Sequence, residues 1–304
     1  LDTIYKMSNK FLLNDLKKHK NFLDKNIIKY LKKLKAPKKI IDIMSYAVLS
    51  GGKRIRPFLL SEIAKMYGVK AEIYKYPCMA IELAHCFSLI YDDLPCMDND
   101  ELRRGKPTVH IAFNEANALL GGASLLVYSF KVLSLESFKI NHKNKLRIIK
   151  NFSDVTGAEG VLAGQYLDLL AENKSFKLTM AKYKIIQEKK TSLLIAFCTL
   201  TGAILGNSKK EEQKKLFDIG LLIGRIFQTQ DDILDLEGSE KEMGKKVNKD
   251  EKNNKATIIR LKNLDYAKKE VYRLCKMTKR KILTINKNTK KLEQLIDYLS
   301  TRTN

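Results

Sequence analysis

Apolar residues recur three and four positions apart through most of this chain, as in Phe22, Leu23, Ile27, Ile28, Leu31 and Leu34. That is the period of an α-helix with one buried face. The pattern predicts a basic amphipathic helix over residues 1–36, stopped at Pro37, which has no amide N–H to continue the ladder. A helix from Ile40 to Leu49 ends at Gly51-Gly52, and another runs from Phe58 to Tyr67. A buried helix is predicted from Pro77 to Asp93, with the apolar run Ala84–Tyr91 inside it. Residues 111–171 read as two helices, with Gly121, Gly122, Gly157, Gly160 and Gly164 at crowded points. Lys182 to Gly206 and Leu216 to Phe227 follow, and Tyr266 to Leu299 reads as helical packing without evident chemistry. Few alternating stretches of β-branched and aromatic residues argue for strands. All five prolines lie in the first 107 residues, which leaves the remainder free to form long helices. The expected fold is all-α.

Acids placed at the ends of apolar helices change the picture from packing to chemistry. Asp92-Asp93-Leu94-Pro95-Cys96-Met97-Asp98 follows Tyr91 directly. In an unbroken helix the sixth position on from Asp92 would point away from it, but Pro95 forbids regular helix there. A two-residue bulge would return Asp98 to the side of Asp92. Asp231 and Asp235 are an i, i+4 pair on one face, with Gln228 a turn earlier. Either cluster alone would ordinarily be solvated surface. Together they are expected to feed one metal site from two sides, and carboxylate oxygens suit Mg2+, which binds one or two carboxylates plus substrate phosphates.

Basic groups surround these acids in sequence. Arg103 and Arg104 supply planar forks for diphosphate oxygens. Gly51-Gly52-Lys53-Arg54-Ile55-Arg56-Pro57 is a cationic glycine turn leading into a helix, a phosphate-binding arrangement. His85 lies two turns before Asp92 on about the same face; a lone helical histidine is more often core, but its alignment with the acids marks a diphosphate contact. Gln165 and Asp168 are three apart and either share one interior face or form a surface pair. Lys189-Lys190-Thr191 stands at the mouth of an uncharged run. Lys241 to Lys255 reads as a loop able to close over an anion, with Lys245 and Lys255 as its candidate contacts.

Composition adds limits. The chain has 304 residues, 44% of them hydrophobic, and 57 basic against 34 acidic side chains give a formal charge of +23. The lysines are spread over nearly every predicted helix, with no aromatic interleaving, so the charge reads as solvated surface that steers anions and not as a nucleic-acid interface. A membrane-surface or nucleic-acid binder would also leave both acid clusters unexplained. The odd set Cys78, Cys86, Cys96, Cys198 and Cys275 has no metal-type spacing and fits a reducing compartment. The first residues lack a signal-peptide core. The longest uncharged run, Thr191 to Ser208, is more polar and shorter than the ~20 apolar residues of a membrane span. The expectation is a soluble, cytoplasmic protein with at most peripheral membrane contact.

With both acid clusters in hand, the chain resembles the trans (head-to-tail) polyprenyl diphosphate synthases. The resemblance spans residues 40–260 and rests on motifs in family order: Gly51–Pro57; Asp92–Asp98 in the form with a two-residue insertion; Arg103-Arg104-Gly105-Lys106-Pro107-Thr108; Gly164-Gln165-Tyr166-Leu167-Asp168; Lys190-Thr191; and Phe227–Asp235. It implies one synthase domain over 1–304, an isoprenoid-synthase-type helical bundle around a central cavity, a homodimer, and three Mg2+ held by Asp92, Asp98, Asp231 and Asp235. It implies that Arg103, Lys190, Gln228 and Lys245 grip the allylic diphosphate or its metals. Lys53, Arg56, His85 and Arg104 match the isopentenyl diphosphate site. The carbonyl of Lys190 and the side chains of Thr191 and Gln228 face the developing cation. No Ser, Cys or His nucleophile is needed, since the reaction ionises an allylic diphosphate, adds isopentenyl diphosphate and loses a proton.

Phe87 precedes Asp92 by five residues, with Ser88 beside it, and one isoprene unit corresponds to about one helical turn, roughly 5 Å. A ring there goes with a farnesyl (C15) product in the family, the expected main product. The wording of Asp92–Asp100 also resembles plant-type geranylgeranyl (C20) synthases, the alternative. A terpene cyclase fits less well, because its second metal site mixes Asn, Ser and Glu.

Overall fold

The computed structural model describes residues 2–173, 175–237 and 255–302. Four helices open the chain: α1 (Asp2–Leu31), α2 (Lys38–Leu49), α3 (Ile55–Met66) and α4 (Ala71–Asp92). A hairpin of two-residue strands, β1 (Leu102–Arg103) and β2 (Lys106–Pro107), leads to α5 (Val109–Phe113) and α6 (Glu115–Ser134). Next come α7 (His142–Thr156), α8 (Val161–Glu172) and α9 (Met180–Gln187). A π-helical segment, Glu188–Ser192, joins α9 to α10 (Leu193–Leu205), and α11 (Lys210–Glu237) follows. The described chain closes with α12 (Ile258–Leu261), α13 (Leu264–Ile282) and α14 (Lys290–Thr301). The all-α expectation holds, the hairpin being the sole departure among the described residues.

Several boundaries differ from the expected ones. α4 begins at Ala71, so Pro77 lies inside the helix, where the ring removes one ladder bond but the surrounding contacts hold the rod. Residues 111–171 form four helices in place of two. The break after α6 has no Gly or Pro; Phe138, fully buried and stacked at 5.3 Å on Tyr76, pulls the chain inward there. Asn141 then caps α7 by accepting from Asn144 N at 2.8 Å. The run Lys182–Gly206 is two helices with the π segment between them. α11 does not end at its acids but carries them in its last turns.

One apolar cluster extends from Leu12 of α1 to Leu299 of α14. α4 packs against α6, α10 against α11 and α3, and α11 against α13. α10 is the hub: Ile195, Phe197, Cys198 and Ile204 are all buried, each apolar side chain contributing about 1.5–3 kcal/mol by leaving water. The uncharged run from Thr191 is thus a core helix. α6 is long and apolar enough to cross a bilayer by length and composition, yet its inner face packs on α4 and only its outer face, with Leu120 at 61% and Val127 at 66% exposure, meets solvent.

Candidate active site

The C-terminal end of α4, the glycine turn before α3, the π segment and the last turns of α11 converge on a cavity of about 260 Å³. Its wall includes the acids Glu82, Asp92 and Asp231 and the cations Lys53, Arg54, Arg56, Arg104 and Lys190.

The first acid cluster folds as the proline requires. α4 stops at Asp92, and the amide of Asp98 donates to the Asp92 carbonyl at 2.8 Å while that of Asp100 donates to Asp93 at 3.2 Å. The main chain thereby returns Asp98 to the neighbourhood of Asp92. Burial raises the Asp92 pKa despite Lys190 nearby. Burial would raise Asp98 as well, but Lys255, 3.0 Å away, and Lys190 hold it below the usual carboxylate range.

Arg103 and Arg104 point to different places because a two-residue turn separates them. Arg104 and Gly105 have φ of 55° and 73°, the left-handed pair of a tight hairpin. Arg103 turns back, donating through Nε to Asp93 Oδ1 at 2.7 Å, with Asp100 3.4 Å from its Nη2. Arg104 donates to the Gly51 carbonyl at 2.6 Å. Gly52, at φ 101°, lies beneath that guanidinium, and a Cβ there would come within 2.4 Å of it.

In the glycine turn only two of the three cations face the cavity with their charge. Arg54 is itself left-handed at φ 55° and turns inward. It donates to Asp24 at 2.8 Å, Glu82 at 2.8 Å and Gly51 O at 2.7 Å, and also to Val48 O. Its role is to pin the turn to α1 and α4, leaving Lys53 and Arg56 aimed outward on either side. Lys53 lies over the Tyr298 ring at 5.5 Å. Burial, and then repulsion from Arg302, push its pKa down to about 8. Arg56 Nη1 lies 3.4 Å from His85 Nε2. Burial, then Arg56 and Arg104, hold His85 well below its usual pKa, so it is a neutral hydrogen-bonding group.

The π segment sets the third wall. The amide of Leu193 reaches back to the Glu188 carbonyl, one residue further than an α-helix allows. Lys190 Nζ donates to Asp168 Oδ2 at 2.6 Å. Burial alone would depress it, but Asp168 and Asp92 hold the ammonium above the usual lysine range. α8 comes this close because Gly164 faces the segment: a Cβ there would sit 2.2 Å from Lys190 N. Gln165 lines the cavity and Asp168 pairs with Lys190, so the two face the interior. Thr191 Oγ1 donates to Gln228 Oε1 at 2.7 Å, and Gln228 Nε2 donates to Asp232 Oδ1 at 3.1 Å.

Within the second cluster the carboxylates divide their work. Asp232 is buried and accepts from Gln228, from the Tyr183 hydroxyl at 3.1 Å and from the Ile258 amide at 3.0 Å, docking α12 on α11. Asp231 lines the cavity and accepts from Arg302 Nη2. Asp235 is buried a turn further on and is not among the described residues lining the cavity. Lys245 lies outside the described residues. Phe87 is buried with its ring 4.5 Å from that of Tyr91, and Ser88 lines the cavity, its hydroxyl donating to the His85 carbonyl at 2.9 Å.

Sequence reasoning missed Asp93, Asp232 and Arg302, and it grouped Arg54 with the cations of the phosphate-binding turn. Asp93 and Asp232 each follow an expected ligand by one residue, and that adjacency was the available signal: neighbours on a helix face different ways. Arg302 had no local signal at all.

Among the described residues no three Asp, Glu, His or Cys side chains stand together as a group that could hold a metal ion. The donor set, carboxylate oxygens without thiol or imidazole, fits a hard cation.

Residues 37–299 match the family model described as polyprenyl synthetase. A farnesyl diphosphate synthase of Bacillus subtilis is 39% identical over 298 residues, 97% of this chain and 99% of that one. An FPP/GFPP synthase from Zymomonas mobilis superposes with a TM-score of 0.83 at 30% identity, covering 95% of this chain and 100% of that chain. A Helicobacter pylori geranyltransferase complexed with magnesium and isoprenyl diphosphate gives 0.79 at 30% identity, over 96% of each chain. The chain belongs to the polyprenyl synthetase family.

Proposed function

We propose that this chain is a farnesyl diphosphate synthase-type prenyltransferase, condensing isopentenyl diphosphate head-to-tail with dimethylallyl or geranyl diphosphate. The observation that carries this reading is one cavity lined by Asp92 of the first acid cluster and Asp231 of the second, together with Lys53, Arg56, Arg104 and Lys190. Asp92, Asp98 and Asp231, with Asp235 behind, would hold Mg2+, proposed as three ions, which when bound neutralises charge building on the leaving diphosphate.

The chain's own groups divide between two anions. Arg103, Lys190 and Gln228, with Lys245 and Lys255, serve the allylic diphosphate; Lys53, Arg56, His85 and Arg104 serve the isopentenyl diphosphate. The allylic C–O bond breaks, the isopentenyl double bond attacks the cation, and the proton lost in forming the new double bond leaves with the released diphosphate. Thr191, Gln228 and the Lys190 carbonyl face that transient cation as fixed dipoles.

Farnesyl diphosphate is the proposed main product, with the Phe87 and Tyr91 rings limiting chain growth. The working unit is proposed to be a homodimer, with the exposed apolar face of α6 as the covered surface, and the location cytoplasmic. Incubation with labelled isopentenyl diphosphate, an allylic diphosphate and Mg2+ is expected to give a C15 diphosphate. Absence of any metal-dependent elongation overturns the reading.

A further inference from the structure

Arg302, just beyond α14, reaches more than seventy positions back along the chain and settles in the candidate site. Its Nη2 donates to Asp231 and, at 3.3 Å, to the Phe227 carbonyl. Its guanidinium lies 4.4 Å over the Phe227 ring. Its carbonyl accepts from Gln230 Nε2 at 3.2 Å. One helical turn of α11 therefore grips this residue at three points, and the side chain is only 7% exposed.

We propose that Arg302 is a site residue that occupies Asp231 in place of a divalent cation until a diphosphate arrives. The inference rests on the metal-dependent reading above. The chemistry follows from charge. Asp231 stands in a cavity also lined by Lys53, Arg56, Arg104 and Lys190, and the Arg56 guanidinium lies 5.3 Å from the centroid of the same Phe227 ring. A guanidinium released from Asp231 stays on the Phe227 ring among these like charges, where burial makes repulsion expensive. An anion entering between Lys53 and Arg56 removes that repulsion. Release of Arg302, occupation of Asp231 by a metal and binding of a diphosphate are therefore coupled, and by linkage each favours the others equally. The pair makes loading of this half of the site conditional on an anion. The first cluster is closed differently, by Lys255 on Asp98, so the two halves respond to different segments of the chain.

The test is Mn2+ binding, followed by electron paramagnetic resonance and calorimetry, to the full chain with and without inorganic pyrophosphate and without any prenyl substrate. Arg302→Gln is expected to tighten Mn2+ binding in the absence of pyrophosphate by roughly 5- to 50-fold, within the usual range of site coupling, and to shrink the gain that pyrophosphate gives. In an Asp231→Asn background the same substitution is expected to change nothing. Equal or weaker Mn2+ binding by Arg302→Gln, or the same shift in both backgrounds, overturns the proposal. Arg302→Lys, which keeps the charge but loses the fork, provides a second variant should Arg302→Gln not fold: a smaller tightening supports the proposal and none overturns it. Failure of the functional reading is distinguishable, because wild-type protein would then bind no Mn2+ even with pyrophosphate present.

Discussion

The main-chain amide of Asp98 donates to the carbonyl of Asp92 across 2.8 Å. Two acids six positions apart are thereby joined by backbone, so their spacing does not depend on side-chain flexibility. Asp92→Ala is expected to lower kcat for prenyl transfer by about 10²–10³-fold or more, the scale of losing a preorganised electrostatic group. Pro95→Ala, which lets the helix run on and points the sixth position away from Asp92, should also lower kcat with every acid retained. Steady-state assays at saturating Mg2+ check both, and a Pro95→Ala chain with normal kcat would show that the return of Asp98 does not depend on the proline.

The Phe87 and Tyr91 rings lie 4.5 Å apart on α4, tilted at 56° to each other. Removing the first ring in Phe87→Ala is expected to lengthen the product by one isoprene unit or more, read by chromatography of the dephosphorylated alcohols. An unchanged product would mean that another side chain limits growth.

Much of this was legible beforehand. The 3.6-residue period marked the helices from α1 to α4, Pro37 separated α1 from α2 although Pro77 did not open α4, and Pro95 announced the return of Asp98. The π segment at Lys190 was not legible, because a shift from i+4 to i+5 bonding is chosen by the approach of α8 at Gly164 and leaves no local mark. The split of residues 111–171 depends on Phe138 finding a pocket beside Tyr76. Arg54 looked like one more phosphate ligand; its inward turn depends on Asp24 and Glu82, one on α1 and one on α4. Arg302 enters the site only through the packing of α14 on α11.

That buried clamp on Arg54 gives a stability prediction. Glu82→Ala leaves a desolvated guanidinium short of a partner, and breaking such a pair from one side costs about 3–5 kcal/mol. Denaturant melts should show that loss. The KM for isopentenyl diphosphate should rise with it, since Lys53 and Arg56 flank Arg54, while the KM for the allylic substrate moves less.

Lys53 supplies a pH signature. In the substrate-free protein its pKa is pushed from 10.5 down to about 8. A bound diphosphate favours the charged amine and raises that pKa, so between those two values binding must draw a proton from solution. Calorimetry of pyrophosphate binding in buffers of different ionisation enthalpy is expected to show proton uptake at pH about 9, absent in Lys53→Met. Below the pH where Lys53 is already charged, the uptake should vanish.

The extra residue accommodated at Glu188–Ser192 offsets the helical phase of everything after it by about 100°, one residue's rotation. Removing Lys189 would let α9 and α10 run on as a single ordinary helix, with each amide bonded to its usual carbonyl. Such a chain would be expected to gain local helical regularity while swinging the Lys190 ammonium out of line with Asp168. The irregularity is therefore a phase adjuster between two rods, and a catalyst that lost it would look healthier to a spectrometer than to a substrate.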